Sequence, residues 1–479
     1  MIDIDRPWVV DDPLSTRYPV YTRGNVDEVT PDVISPLQWT AFAGPISDRA
    51  WKRALVEFGA FEENEFRPGL QDIQAVVHGY CYINLSVQWV FGVRMPGTDP
   101  EAMSREYLGT RADAPVYRPR PGDEAPHLTA RMQRSIERTF QAIPRTDLEE
   151  DARRARKVRL ERPDLGRLSD RELMARYRTV IDEHYGPVVT KHFLLVYESS
   201  LATGLLGAAL EPLADDTLRV RLMSGWGNVA SAAPAAALWA LGREVADSPE
   251  LTAEFDAGAE GLWNRLRSRS EPHVRAFARG FEDFLVEFGS RATQEYEAMP
   301  QTWETHPSIP LGIIDRLRLQ PADHDPGPQA ARLARERMEL ADDVRSRLAD
   351  AQARETFDTA LRAVELHLPA REQSKTTMVR LLHEARLPLR EIAARQVALG
   401  NLNRVEDIIM LTLDEVGELI EKPSSRSTAG CSRPSSPRSG SPGWRPASAN
   451  WSTMPWTGSW TRRGPRTSTG WSAGRSRAR

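Results

Sequence analysis

The stretch SDRELMARYRTVIDEH (169–184) decides the fold class. Ser169 followed three residues later by Glu172 is a capping-box pair, in which hydroxyl and carboxylate each satisfy a backbone N–H that a helix start leaves bare. Leu173, Tyr177, Val180, Ile181 and His184 then recur at helical spacing along one face. A second stripe of the same kind, Phe277, Phe281, Phe284, Leu285 and Phe288, follows downstream. Such helices need partners to cover their apolar faces. Charged stretches at 330–366 and 376–399 read as further helices, and Thr412 with Glu415 opens a last one. A mainly α protein is expected, with helices dominating from about residue 130 onward.

The first 125 residues differ, being broken by prolines and glycines. Within them HGYCYINLSVQW (78–89) is rich in aromatic and β-branched residues and predicts a small β element. Met95 to Pro126 reads as loop. The expected division is a Pro/Gly-rich part at 1–125, a large helical domain at 126–422 and a tail at 423–479. No repeat of 20–50 residues is present.

The tail contains no Leu, Ile, Val, Phe or Tyr but five of the thirteen tryptophans, fourteen serines and ten arginines. It cannot bury enough apolar surface to offset chain entropy, so it is expected to be disordered. Its abrupt start after a well-patterned helix also reads as a frame-shifted translation, and its tryptophans among arginines as a nucleic-acid arm. The formal net charge of −4 conceals this basic end, because residues 1–422 carry 53 basic against 67 acidic side chains. An acidic body argues against nucleic acid as the main partner. Cys81 and Cys431 are the two cysteines, the second lies in the tail, and no stabilising disulfide is expected. The opening MIDIDRPWVVDDP lacks the basic start and apolar run of a secretory signal. No stretch is expected to reach the roughly 18 apolar residues of a membrane span. A cytoplasmic protein without a membrane partner is the expectation.

Motif searches exclude several chemistries. There is no G-x-x-x-x-G-K-[ST] phosphate loop, no G-x-G-x-x-G between strand and helix, no H-E-x-x-H and no paired C-x-x-C. His184 and His192, with Glu183 and Glu198 nearby, read as surface or partly buried helix histidines rather than a metal site. The segment SGWGNVASAAP (224–234) precedes an apolar helix and either receives an anion on its backbone amides or simply connects two helices. In REQSK (371–375), just after Pro369, Arg371 and Lys375 fall at i and i+4 and share a helix face. With proline in the first turn, these cations would sit near a helix N-terminus, against its dipole. They read either as an anion site or as a solvated face.

Several strings together resemble the central domain of PEP-utilising and rifampicin phosphotransferase-like proteins. They are GNVDEVTPDVISPLQW (24–39), HGYCYINLS (78–86), LMSGWGNVASAAPAAALWALGR (222–243), FLVEFGSRATQEYEAMPQTWETHP (284–307) and the REQSK helix continuing to GNLNRVEDIIMLTLDEV (400–416). The resemblance covers about residues 20–420, joining the first two parts of the chain in one family unit. It implies a mostly helical domain that binds a small hydroxylated acceptor and receives a phosphoryl group from a phosphohistidine on a separate swivelling domain. Arg371 and Lys375 would stabilise that group in flight, since phosphoryl transfer rests on positioning and charge compensation. Arg291 and Glu295 would position the acceptor. Asn25, Glu28 and Asn84 are weaker candidates, because polar residues in matched strings can equally fix turns.

The resemblance also implies that ATP or PEP with Mg is handled by an ATP-grasp or phosphohistidine module elsewhere, with no cofactor held by this chain. Two departures stand out. No histidine follows His383, so the family's mobile histidine is expected to be missing, and Ser290 in FGSRA stands where the family often places histidine or methionine. A non-catalytic ligand-binding or scaffolding protein built from the same domain is the rival expectation.

Overall fold

The computed structural model describes residues 9–226 and 232–421. The tail readings and the centre of 224–234 fall outside them. The N-terminal part forms a three-stranded antiparallel sheet, β1 (Tyr21–Thr22), β2 (Gln74–Val77) and β3 (Tyr80–Asn84), with β3 central. β2 and β3 pair from Gln74↔Ile83 to Val77↔Tyr80. Their turn, His78–Gly79, has both residues at positive φ, 50° and 79°, the backbone that two-residue hairpins favour.

Helices are more frequent here than the prolines suggested. α1 (Gly44–Phe58) separates β1 from β2. The β element expected over 78–89 ends at Asn84, and LSVQW instead opens α2 (Leu85–Arg94). α3 (Pro100–Leu108) lies inside the stretch expected to be loop. Pro45 and Pro100 occupy first helical turns, where no backbone donor is needed, so they start helices rather than break them. Asp99 completes the α3 start by accepting from the Ala102 amide at 2.6 Å.

α4 (Pro126–Gln141) and α5 (Thr146–Leu160) lead to Ser169 and Glu172, where both bonds of the capping box form. From there α6 (Asp170–Thr179) continues through a wider π-turn, Val180–Tyr185, into α7 (Gly186–Leu210). Leu173, Tyr177, Val180 and Ile181 are buried as expected, and His184 is half-buried. Contrary to expectation, the helical stretch Asp170–Leu213 is long and apolar enough by length and composition to cross a membrane, with a third of its most apolar window buried in the protein.

A short α8 (Thr217–Leu222) precedes a lobe made of α9 (Ala233–Asp247), α10 (Pro249–Asp256), α11 (Leu262–Ser268), α12 (Pro272–Phe288) and α13 (Ser308–Arg318). The predicted stripe Phe277, Phe281, Phe284 and Leu285 forms its core, with Phe288 at the edge. α14 (Pro326–Arg347), α15 (Ala351–Ala398) and α16 (Leu413–Glu421) complete the chain, and Thr412 with Glu415 caps the last as expected.

α15 corrects the sequence reading most. The helices expected at 330–366 and 376–399 divide instead at 348–350, and the second, of 48 residues, runs through both Pro369 and Pro388, about 72 Å at 1.5 Å per residue. Each proline deletes a backbone hydrogen bond. Burial holds the helix together: Leu361, Val364, Leu368, Met378, Leu381, Leu382, Leu389 and Ile392 all lie in the core. Its two halves serve different clusters, the first with α7, α8 and α14, the second with α1, α6 and the start of α7.

Candidate functional site

The candidate site lies where α7 and α15 run side by side. Arg371 and Lys375 share a face of α15 as predicted, but the helix begins at Ala351, so they sit in its interior and not near an N-terminus. The helix dipole, which acts only over the first and last turns, does not reach them. Facing them on α7 are His192 and Ser199. The Arg371 guanidinium approaches the Ser199 hydroxyl at 3.4 Å, and Ser199 donates its own proton to the Val196 carbonyl at 3.0 Å. Burial pulls the Arg371 cation down from its usual range, with Glu372 opposing. His192 Nδ1 meets Ser374 Oγ at 2.9 Å. Burial, then Arg371, then Lys375 push the His192 imidazole down to about 3. Sequence reasoning missed this histidine, reading it as a surface or partly buried helix residue. The signal that could have found it is the pairing of two helices that are far apart in sequence.

Aromatic residues continue the site along α7. Trp51 of α1 stacks on Phe193 with ring centres 4.4 Å apart, and the Trp51 indole donates to the Tyr197 hydroxyl at 2.7 Å. Phe193 and Tyr197 are half-buried. Tyr107 of α3 joins the same region, its hydroxyl raised well above the usual range by burial, with Glu106 and Tyr197 adding to the rise.

The remaining predicted residues divide. Arg291 and Glu295 form an ion pair at 2.8 Å in the turn after α12, and the Glu295 carbonyl accepts from Arg386 at 2.6 Å. The Arg386 bond ties this turn to the second half of α15, and neighbouring Tyr296 has its hydroxyl raised by burial, with the Glu295 and Glu372 charges adding. Ser290 is buried. Asn25 is half-buried at φ 73°, the backbone of a tight bend, and starts a short 3-10 turn without capping it. Glu28 ends that turn, and its side chain lies outside the described part. Asn84 is fully buried; its amide donates to the Tyr18 and Asp72 carbonyls and its oxygen accepts from the Val87 amide. That geometry makes Asn84 a cap and a brace.

A second polar cluster joins Glu304, His383 and Glu384, whose ligand atoms lie within 4.8 Å of one another. Among the described residues His184, His192, Glu183 and Glu198 form no such group. Three arginines surround the Glu304 cluster. Arg159 reaches Glu304 at 2.6 Å and Glu384 at 3.1 Å, Arg162 bonds both carboxylates, and Arg176 lies 3.7 Å from Glu384. His383 Nε2 meets Glu304 at 2.6 Å. Burial alone would raise the Glu304 carboxyl, but His383, Arg162 and Arg159 hold it well below the usual carboxylate range. With three cations on two carboxylates, the group is already compensated and suits a structural ion network better than a metal.

A comparison with protein-family models matches residues 191–372 to the rifampicin phosphotransferase fourth domain. The span begins one residue before His192 and ends one residue after Arg371, so it holds both sides of the α7–α15 contact but stops short of Lys375. A search of curated proteins finds no match. The match supports a relationship of this part of the chain to the PEP-utilising, rifampicin phosphotransferase-like proteins.

Proposed function

We propose that this chain binds a small hydroxylated acceptor between α7 and α15, and that Arg371 and Lys375 hold the phosphoryl group as it is transferred. The observation that carries this reading is the packing of the Arg371 and Lys375 face of α15 against Ser199 and His192 of α7, inside the family-matched span up to Arg371. Phosphoryl transfer needs little covalent chemistry from the protein and much charge compensation, which preformed cations in a desolvated site supply. The half-buried Phe193 and Tyr197, with Trp51 stacked on Phe193, favour an acceptor with an aromatic or otherwise flat apolar body. Arg291 and Glu295 would brace the acceptor side through the turn that Arg386 ties to α15. The phosphoryl donor in this reading is a phosphohistidine on a separate domain or subunit, charged from ATP or PEP with Mg by a module of its own.

Inorganic phosphate tests the site directly. Calorimetric titration of the full chain should show binding that Lys375→Ala and Arg371→Ala each weaken by on the order of 10-fold, the scale of one charge-assisted contact. Lys375→Ala should leave the unfolding free energy within about 0.5 kcal/mol. Phosphate binding that ignores both substitutions would remove the basis for a phosphoryl site here.

A further inference from the structure

The hydrogen bonds around Ser374 fix a property of His192 that the proposed phosphoryl site does not itself require. Ser374 has one hydroxyl proton, and it is donated to the Arg371 carbonyl at 2.8 Å. Toward His192 the serine oxygen therefore accepts, so the 2.9 Å contact needs a proton on Nδ1. In a neutral imidazole the other nitrogen is then a bare lone pair. Nε2 has no hydrogen-bond partner among the described residues, and it is not one of the buried polar atoms sealed away without a partner. The charged groups that bear on the ring are Arg371 and Lys375, both on α15.

We propose that His192 is a catalytic residue whose unprotonated Nε2 takes the proton of the acceptor hydroxyl during phosphoryl transfer, with Ser374 as the positioning residue that fixes its tautomer. This rests on the phosphoryl site proposed above. The step balances as follows. The acceptor oxygen forms a bond to phosphorus, and the P–N bond of a phosphoramidate donor of the imidazole class breaks. The electron pair of that bond returns to the donor nitrogen, which leaves as neutral imidazole because its ring already carries a proton on the other nitrogen. The hydroxyl proton passes to His192 Nε2 and later to solvent.

Burial and the two cations keep the ring unprotonated before the phosphoryl group arrives. The dianionic group then compensates Arg371 and Lys375, which removes their opposition to a proton on His192 at the moment one is released. A weak base in the empty site thus becomes a stronger one in the loaded site.

The test uses the full chain labelled with 15N-histidine, with the His192 ring signals assigned by their loss in His192→Asn, a variant that keeps a donor toward Ser374. Ring correlation spectra at neutral pH should show His192 as the Nδ1–H tautomer. Ser374→Ala should convert it to a mixture of tautomers. Inorganic phosphate, whose P–OH stands in for the acceptor hydroxyl, should move the Nε2 resonance upfield as its lone pair accepts a hydrogen bond, and Arg371→Ala should abolish that movement. A proton on Nε2 in the free protein overturns the inference while leaving the phosphoryl site standing. So does phosphate that binds in an Arg371-dependent way without moving Nε2. Failure of phosphate to bind at Arg371 and Lys375 overturns both proposals.

Discussion

His192 shows how a single residue changes meaning when its partner helix is placed. On α7 alone it is a polar interruption in an apolar stretch; beside α15 it becomes a neutral ring between a serine and two cations. Its titration gives a pH prediction with a definite sign. The unfolded chain takes up this proton below about pH 6.5, the ordinary imidazole value, whereas the folded chain does so only near pH 3. Between these values the unfolded state binds more protons, so stability falls as pH falls. His192→Asn should flatten the acid limb of stability measured by urea unfolding, removing up to about 1.4 kcal/mol per pH unit across that window. An unchanged slope would mean that the ring already titrates normally in the folded protein. His383, also pushed down by burial, adds a slope of the same sign that this substitution leaves in place.

At the scale of the element, capping residues decide where the chain turns from one structure to another. Asn84 ends β3 and starts α2, and its side chain also ties the Tyr18 and Asp72 carbonyls to that junction. Asn84→Ala removes a cap and leaves two buried carbonyls without this donor. The expected loss is about 3 kcal/mol, read as a lowered urea midpoint with an unchanged slope. A loss below about 1 kcal/mol would show that other groups satisfy the junction. Ser169 and Glu172 make the comparable start of α6 at an exposed position, so Ser169→Ala should cost only about 1 kcal/mol in the same assay.

Across the whole molecule the arginine–carboxylate network ties α5, α6 and the turn before α13 to the middle of α15. Glu384 is almost fully buried and receives Arg159, Arg162 and Arg176. Glu384→Ala takes a buried carboxylate away from three half-buried arginines and should destabilise the protein by roughly 3 kcal/mol, measured by urea unfolding. Zinc should leave the melting temperature of the unmodified protein unchanged, because arginines already occupy the carboxylates that a metal would need. A zinc-dependent rise in that temperature, reversed by a chelator, would instead make Glu304, His383 and Glu384 a metal site.

The helical class, the capping boxes at Ser169 and Thr412, the phenylalanine stripe of α12 and the shared face of Arg371 and Lys375 are all legible in the sequence. Each is a local pattern, set by residues within two or three turns of one another. The sequence alone misread α3 as loop and divided α15 at Pro369, because proline lowers local helix preference and only the burial of α15 by its neighbours overrides it. Asn84 and Asn25 were legible as polar residues in matched strings, but whether they meet a ligand or the backbone depends on folded contacts. Tertiary structure alone brought His192 to Ser374, 182 residues apart in the chain. No periodicity encodes such a contact, since it arises from two helices packing side by side, and that packing turned a cation pair into a candidate site.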